Sequence, residues 1–187
     1  MSGDVPPIPV HLAALPTVGG LVVPRITPQA VSGQYLFGNL SDVAQRRFLL
    51  GYRCQICGKP LPRRAVLFAR TSDLLLMCTS EPAACPPCAH YSAQACPMLN
   101  GHLRHYRAGP HPARTGLPPT RQELARQGAP AESWFAVWVH DYTVIDHPAR
   151  PGTLAASWRN GLPLRVRPVP QAADAARGPK PPAPPCP

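Results

Sequence analysis

The chain has 187 residues, including 28 prolines and seven cysteines, and its 19 basic against nine acidic residues give a formal net charge of +10. That length allows one domain of ordinary size plus tails and excludes a large multidomain assembly. No run approaches the ~18 apolar residues of a membrane span. Met1–Pro28 lacks a basic start and is interrupted by prolines 6, 7, 9, 16, 24 and 28, so no secretion signal is legible. A cytoplasmic, reducing setting with no membrane partner is the expectation, and clustered cysteines there favour metal over disulfides.

Only Lys59 and Lys180 among the basic residues are lysine. An arginine-rich surface suits a nucleic-acid or other polyanion partner. A GC-rich coding sequence leaves the same signature, because arginine then replaces lysine throughout. Arg46-Arg47, Arg63-Arg64 and Arg104/Arg107 are the local clusters.

Taken in order, residues 1–30 read as a proline-rich, mostly extended arm, in which Leu12, Leu15, Leu21, Val22 and Val23 can line the domain surface. Residues 41–51 predict a short helix, with Ser41 or Asp42 as N-cap and Gly51 as stop. Its expected buried face carries Val43, Arg47 and Leu50, with Phe48 and Leu49 beside them. Ala65–Ala69 and Leu74–Cys78 read as two strands of a hairpin turning at residues 70–73. Pro86-Pro87 suits the first turn of a helix running to Ala95, just before Pro97. Residues 100–119 read as a loop, and Thr120–Glu123 as a capping box opening a short helix to Gln127-Gly128. Ser133–Ile145 is the strongest strand signal, β-branched and aromatic throughout. Leu162–Val169 reads as a last strand, kept at an edge by prolines 163 and 168. Residues 171–187 read as a disordered proline-rich tail.

Six of the seven cysteines fall between Cys54 and Cys96. Cys54-Gln55-Ile56-Cys57 and Cys85-Pro86-Pro87-Cys88 are both Cys-x2-Cys turns, and each supplies two thiolates from one tight loop. Two such turns complete a tetrahedral zinc site. Gly58 after the second cysteine suits the first turn, since a residue without Cβ closes the curl. A helix N-terminus beside Cys85 and Cys88 favours their thiolates. The 27 residues between the pairs leave room for a hairpin. Cys78, separated from Cys57 by 20 residues, is the alternate ligand. Four thiolates also serve an iron–sulfur cluster, and Cys85–Cys88 has the spacing of a redox pair. Cys96 reads as packing and Cys186 as incidental. Among the histidines, His90 reads as a half-exposed helix position near the site. His102 and His105 read as loop residues beside Arg104 and Arg107, and His140-Asp141 and Asp146-His147 as surface pairs at the end of the strong strand.

Cys54-x2-Cys57-Gly58-Lys59-Pro60-Leu61, then Glu81-Pro82-x2-Cys85-x2-Cys88-Ala89, then Tyr91-Ser92-Ala93-x2-Cys96-Pro97-x-Leu99, resembles a family of small uncharacterised proteins of actinobacteria and their phages. The resemblance extends loosely over residues 45–168. In that family a histidine often stands at the position of Cys85, so the resemblance implies Cys85, rather than Cys78, as a ligand. It implies no activity.

The expected fold is α+β: a small zinc-stapled domain, treble-clef or zinc-ribbon-like, with a few antiparallel strands and proline-rich tails. The domain spans 31–170, with the metal module at about 52–99. Cys54, Cys57, Cys85 and Cys88 would hold a structural Zn2+, and Arg46, Arg47, Arg53, Arg63 and Arg64 would contact nucleic acid. A protein-interaction adaptor on the same zinc core is the alternative. An HNH-like nuclease would need histidines on the hairpin, which residues 65–78 lack. Any other hydrolase would need a pocket joining His140 or His147 to Glu81 or Asp146.

Overall fold

The computed structural model describes residues 5–109, 124 and 126–171. In chain order its elements are a 3-10 turn (Val10–Leu12), β1 (Thr17–Val18), β2 (Leu21–Val22), α1 (Asp42–Leu50), β3 (Ala65–Arg70) and α2 (Thr71–Leu76). There follow β4 (Cys78–Thr79), α3 (Pro86–Ala95), β5 (Trp134–Val139), β6 (Thr143–Asp146), β7 (Leu154–Ser157) and β8 (Arg165–Pro168). β1 and β2 form a small hairpin, and the other strands form two antiparallel sheets, ordered β3-β5-β8 and β4-β7-β6.

Strand alternation divides the interior into two cores. Val66 and Phe68 of β3, with Trp134 of β5, face one way, toward Cys54, Ile56, Cys88, Tyr91 and Leu12. Ala65, Leu67 and Ala69, with Val137 and Val139, face the other way, toward Leu49, Ala156 and Trp158. Every residue of β3 is buried, as a strand between two cores must be. The β3-β5-β8 sheet thus separates a cysteine-bearing core from an apolar one. β8 lies at its edge, with Pro168 opposite Phe135.

The predicted hairpin of residues 65–78 is not formed. Residues 71–76 are helical instead, and β3 pairs with β5, Ala65 opposite Val139 through Arg70 opposite Trp134. The cause is local: the Asp73 carboxylate accepts the Arg70 backbone N–H at 3.0 Å, an N-terminal cap ahead of three leucines that favour helix. Met77 closes α2 at φ 50°, and Cys78 pairs with Ser157 in the other sheet.

Helix α1 begins where expected, the Ser41 hydroxyl accepting the Ala44 N–H at 3.0 Å. Its buried face is Gln45, Phe48 and Leu49. The expected face is wrong, since Val43 is 81 % and Leu50 51 % exposed. Gln45 accounts for the rotation: its side-chain amide donates to the Ser80 carbonyl at 2.6 Å and the Leu154 carbonyl at 3.2 Å. Gly51 ends the helix with ordinary φ; a Cβ there would stand 2.8 Å from the Arg47 carbonyl oxygen. The long strand predicted over 133–145 is two strands in different sheets, broken at His140–Tyr142, where the Asp141 carboxylate accepts the Tyr142 N–H at 2.8 Å.

Among the described residues no helix is long and apolar enough to cross a membrane. Most of the predicted helix over 120–128, the second half of the 100–119 loop and the tail beyond Gln171 lie outside the described residues.

Candidate metal centre

Cys54–Lys59 curls into a knuckle: the Cys54 N–H donates to the Lys59 carbonyl and the Gly58 N–H to the Cys54 carbonyl, both at 2.8 Å. Gly58 takes φ 75°, a conformation open to glycine at little strain. The Gln55 backbone N–H donates to Ala83 O at 2.9 Å, and its side-chain amide to Pro82 O at 2.5 Å. That anchors the knuckle to residues 82–84. Ala84 in turn exchanges both backbone hydrogen bonds with Val66 of β3. The chain therefore reaches Cys85 already held against the sheet, and α3 opens there with Pro86 and Pro87 in its first turn.

This framework brings the sulfurs of Cys54, Cys57, Cys85 and Cys88 within 4.8 Å of one another, with Cys57 and Cys85 at 4.0 Å. Four thiolates tetrahedral about one ion at a zinc–sulfur bond of ~2.3 Å sit about 3.8 Å apart. The sulfur separations thus fit a single small ion after slight contraction. Cys54 and Cys88 are fully buried, while Cys57 and Cys85 are partly accessible. The Cys85 N–H donates to Cys54 Sγ at 3.3 Å. Hydrogen bonds with the Cys54 and then the Cys88 side chains hold Cys85 down to about 4, and the same crowding pushes Cys88 up. Sulfurs this close do not all shed their protons unaided. A cation among them releases the protons and takes the charge.

Cys78 is not part of the cluster. It is buried in β4, and burial first, then the charge of Asp73, raises its pKa. Cys96 ends α3, its N–H bonded to the Ser92 carbonyl, and packs against the cysteine-bearing core. His90 is exposed on α3 beside Gln94, and His102 is bonded to Asn100.

Arg46 and Arg47 project from α1, Arg53 precedes the knuckle, and Arg63 and Arg64 follow it; all five are exposed. Arg53 donates to the Gly58 carbonyl at 2.8 Å, and Arg47 stacks on Phe48. None of the five enters an ion pair among the described residues.

Two features are absent from the sequence reading. One is His11, whose Nε2 lies 3.4 Å from Cys88 Sγ. The other is a buried charge network. Asp73 accepts from Arg150 at 3.2 Å and lies 3.6 Å from Arg70, while Glu81 accepts from Arg70 at 2.7 Å and Arg126 at 3.1 Å. Burial pushes the Glu81 carboxyl up, but Arg126 and Arg70 more than offset it, and it lies below its usual range. His147, expected at the surface, is buried with its Nε2 4.0 Å from Asp73. His140 and Asp146 are exposed and outside this network, so the expected grouping is corrected: His147 faces Asp73. The Arg70–Asp73 spacing, one helical turn across a capping position, was the available sequence signal.

No family model, curated protein or solved structure matches the chain.

Proposed function

We propose that Cys54, Cys57, Cys85 and Cys88 hold one structural zinc ion, and that the stapled module binds nucleic acid through the basic strip around its knuckle. All four ligands come from protein, which leaves no open coordination position and argues for a structural metal. The sulfurs are too close together to surround an iron–sulfur cage, whose own irons and sulfides must fit between the ligands. Knuckle and helix N-terminus are the two ligand-bearing halves of a treble clef, and we assign the module to that class. A reducing, cytoplasmic setting accords with four cysteines that form no disulfide.

The observation that carries the nucleic-acid reading is a charge imbalance. Residues 42–64 contain Arg46, Arg47, Arg53, Lys59, Arg63 and Arg64 against Asp42 alone, and every one of these cations is exposed. Asp73 and Glu81 are turned inward on Arg70, Arg126 and Arg150, so they do not screen the strip. An uncompensated strip of guanidinium groups attracts phosphates and releases their counterions. The test is fluorescence anisotropy of the zinc-loaded protein with labelled duplex DNA and single-stranded RNA across a salt series. Binding should weaken steeply with salt, and Arg63→Gln/Arg64→Gln should lower the log–log slope by about 2. Salt-independent binding, or none, overturns the reading.

The adaptor reading rests on a different surface. Leu162, Leu164 and Val166 are 96 %, 47 % and 42 % exposed along the chain leading into β8. A protein partner captured through these residues, with no nucleic acid bound, would favour it.

A further inference from the structure

The N-terminal segment is built into the metal centre. Leu12 is fully buried in the core that also holds Cys54 and Cys88. The Val22 N–H donates to the Tyr91 hydroxyl of α3 at 3.0 Å. The Arg25 N–H donates to the Ile56 carbonyl at 2.9 Å and the Ile26 N–H to the Gln55 carbonyl at 3.1 Å, so the segment pairs with the two residues inside the first Cys-x2-Cys turn. Immediately before the first of these anchors, the 3-10 turn sets the His11 imidazole 3.4 Å from Cys88 Sγ.

We propose that His11 is an outer group of the metal centre. Its Nε2–H donates to the metal-bound Cys88 thiolate, and the N-terminal segment thereby closes the site and slows metal release. This rests on the reading that the four cysteines hold zinc. The direction of the hydrogen bond follows from that reading. A metal-bound thiolate has no proton to give, so an imidazole nitrogen against it must be the donor.

The electrostatic need is specific. Four thiolates on a divalent ion leave an excess of negative charge on sulfur, which N–H donors reduce. Cys54 receives the Cys85 N–H. Cys57 is partly open to water. Cys88 is fully buried, and among the described residues the His11 imidazole lies against its sulfur at 3.4 Å. His11 itself is exposed, so its ring stands between the buried sulfur and solvent.

The experiment uses the full chain, with zinc stoichiometry measured first and zinc release to a colorimetric chelator second, for wild type, His11→Ala and His11→Gln. The alanine variant should keep one zinc per chain but release it about tenfold faster, the scale of losing an outer hydrogen bond at a metal site. Glutamine, which retains an N–H donor, should recover part of the difference. With cobalt in place of zinc, the thiolate-to-metal charge-transfer band of His11→Ala should move to longer wavelength, a shift that loosened packing alone would not produce. Unchanged release and an unmoved band in His11→Ala overturn the proposal. So does a His11→Ala chain without metal, because His11 would then be a ligand. A wild-type chain that takes up no zinc removes the four-cysteine reading itself, and stoichiometry separates that failure from the others.

Discussion

The backbone N–H of Cys85 donates to Cys54 Sγ across 3.3 Å, so the helix half of the centre is bonded to the knuckle half through a ligand atom. The knuckle contributes Ile56 and the helix Ala89, Tyr91 and Ala95 to one core, and an ion shared by the four sulfurs would tie the two halves together. Cys54→Ser should therefore lose the zinc and melt the cysteine-bearing core. Cys78→Ala should keep full metal content and lose only about 1 kcal/mol, as for a small buried side chain. Metal analysis by mass spectrometry, with thermal melts before and after chelation, checks both. Metal loss in Cys78→Ala would return that residue to the ligand set.

Gly58→Ala tests the knuckle itself. At φ 75° an alanine is strained, and its Cβ would stand 3.3 Å from the Arg25 side chain. The variant should lose about 1–2 kcal/mol of stability. Its zinc affinity should fall as well, because the same curl sets the Cys54 and Cys57 sulfurs. A chelator competition titration reads the second effect. Equal affinity in the variant would mean that the metal shapes the knuckle and not the reverse.

The clustering of Cys54, Cys57, Cys85 and Cys88 was legible because its signal is local. Two Cys-x2-Cys turns, a glycine after the first and a proline-opened helix at the second each act within a few residues. The hairpin failed for the opposite reason. Ala65–Ala69 and Leu74–Cys78 are both apolar, and periodicity alone does not separate a short buried helix from a strand. Asp73 decided the matter by capping α2, and Thr71-Ser72-Asp73 before Leu74 was the overlooked signal. The burial of Tyr142 at the break after β5 and of Gln45 in α1 depends on partners far along the chain, Leu49 for Tyr142 and Ser80 and Leu154 for Gln45. His11 was invisible for the same reason, being 77 positions from Cys88.

Asp73 binds three parts of the chain together. It caps α2, and it faces Arg70 of β3 and Arg150 of the turn between β6 and β7. Removing one member of a buried charge network leaves the others uncompensated. Asp73→Asn should cost about 3 kcal/mol or more on that ground. Glu132→Gln, which alters an exposed contact with Ser72, should stay within about 0.5 kcal/mol of wild type. Urea denaturation of the two variants compares them directly. Equal midpoints would show that the buried charges are not what joins β3 to the second sheet.

His147 gives the network a pH dependence. The ring is 2 % exposed, and its Nδ1 accepts the Ala149 N–H at 3.2 Å, so the neutral ring carries its proton on Nε2. Burial first, and then the charge of Arg150, hold its pKa below the ordinary histidine value, while Asp73 partly opposes them. Below an ordinary value of about 6.5, the unfolded chain therefore binds a proton that the folded chain refuses. The stability contributed by the neutral ring is complete above that value and declines as pH falls from there toward the folded value. Denaturation free energy should thus drop between about pH 7 and pH 5. Protonation of the four cysteine thiolates, where they hold the proposed metal, would lower stability over the same range, so the wild-type slope alone does not identify the histidine. His147→Gln retains the cysteines, and its free energy should fall less over that interval. Denaturant titrations of the zinc-loaded pair at several pH values give the difference. Parallel curves would mean that His147 gains its proton as readily in the folded chain as in the unfolded one.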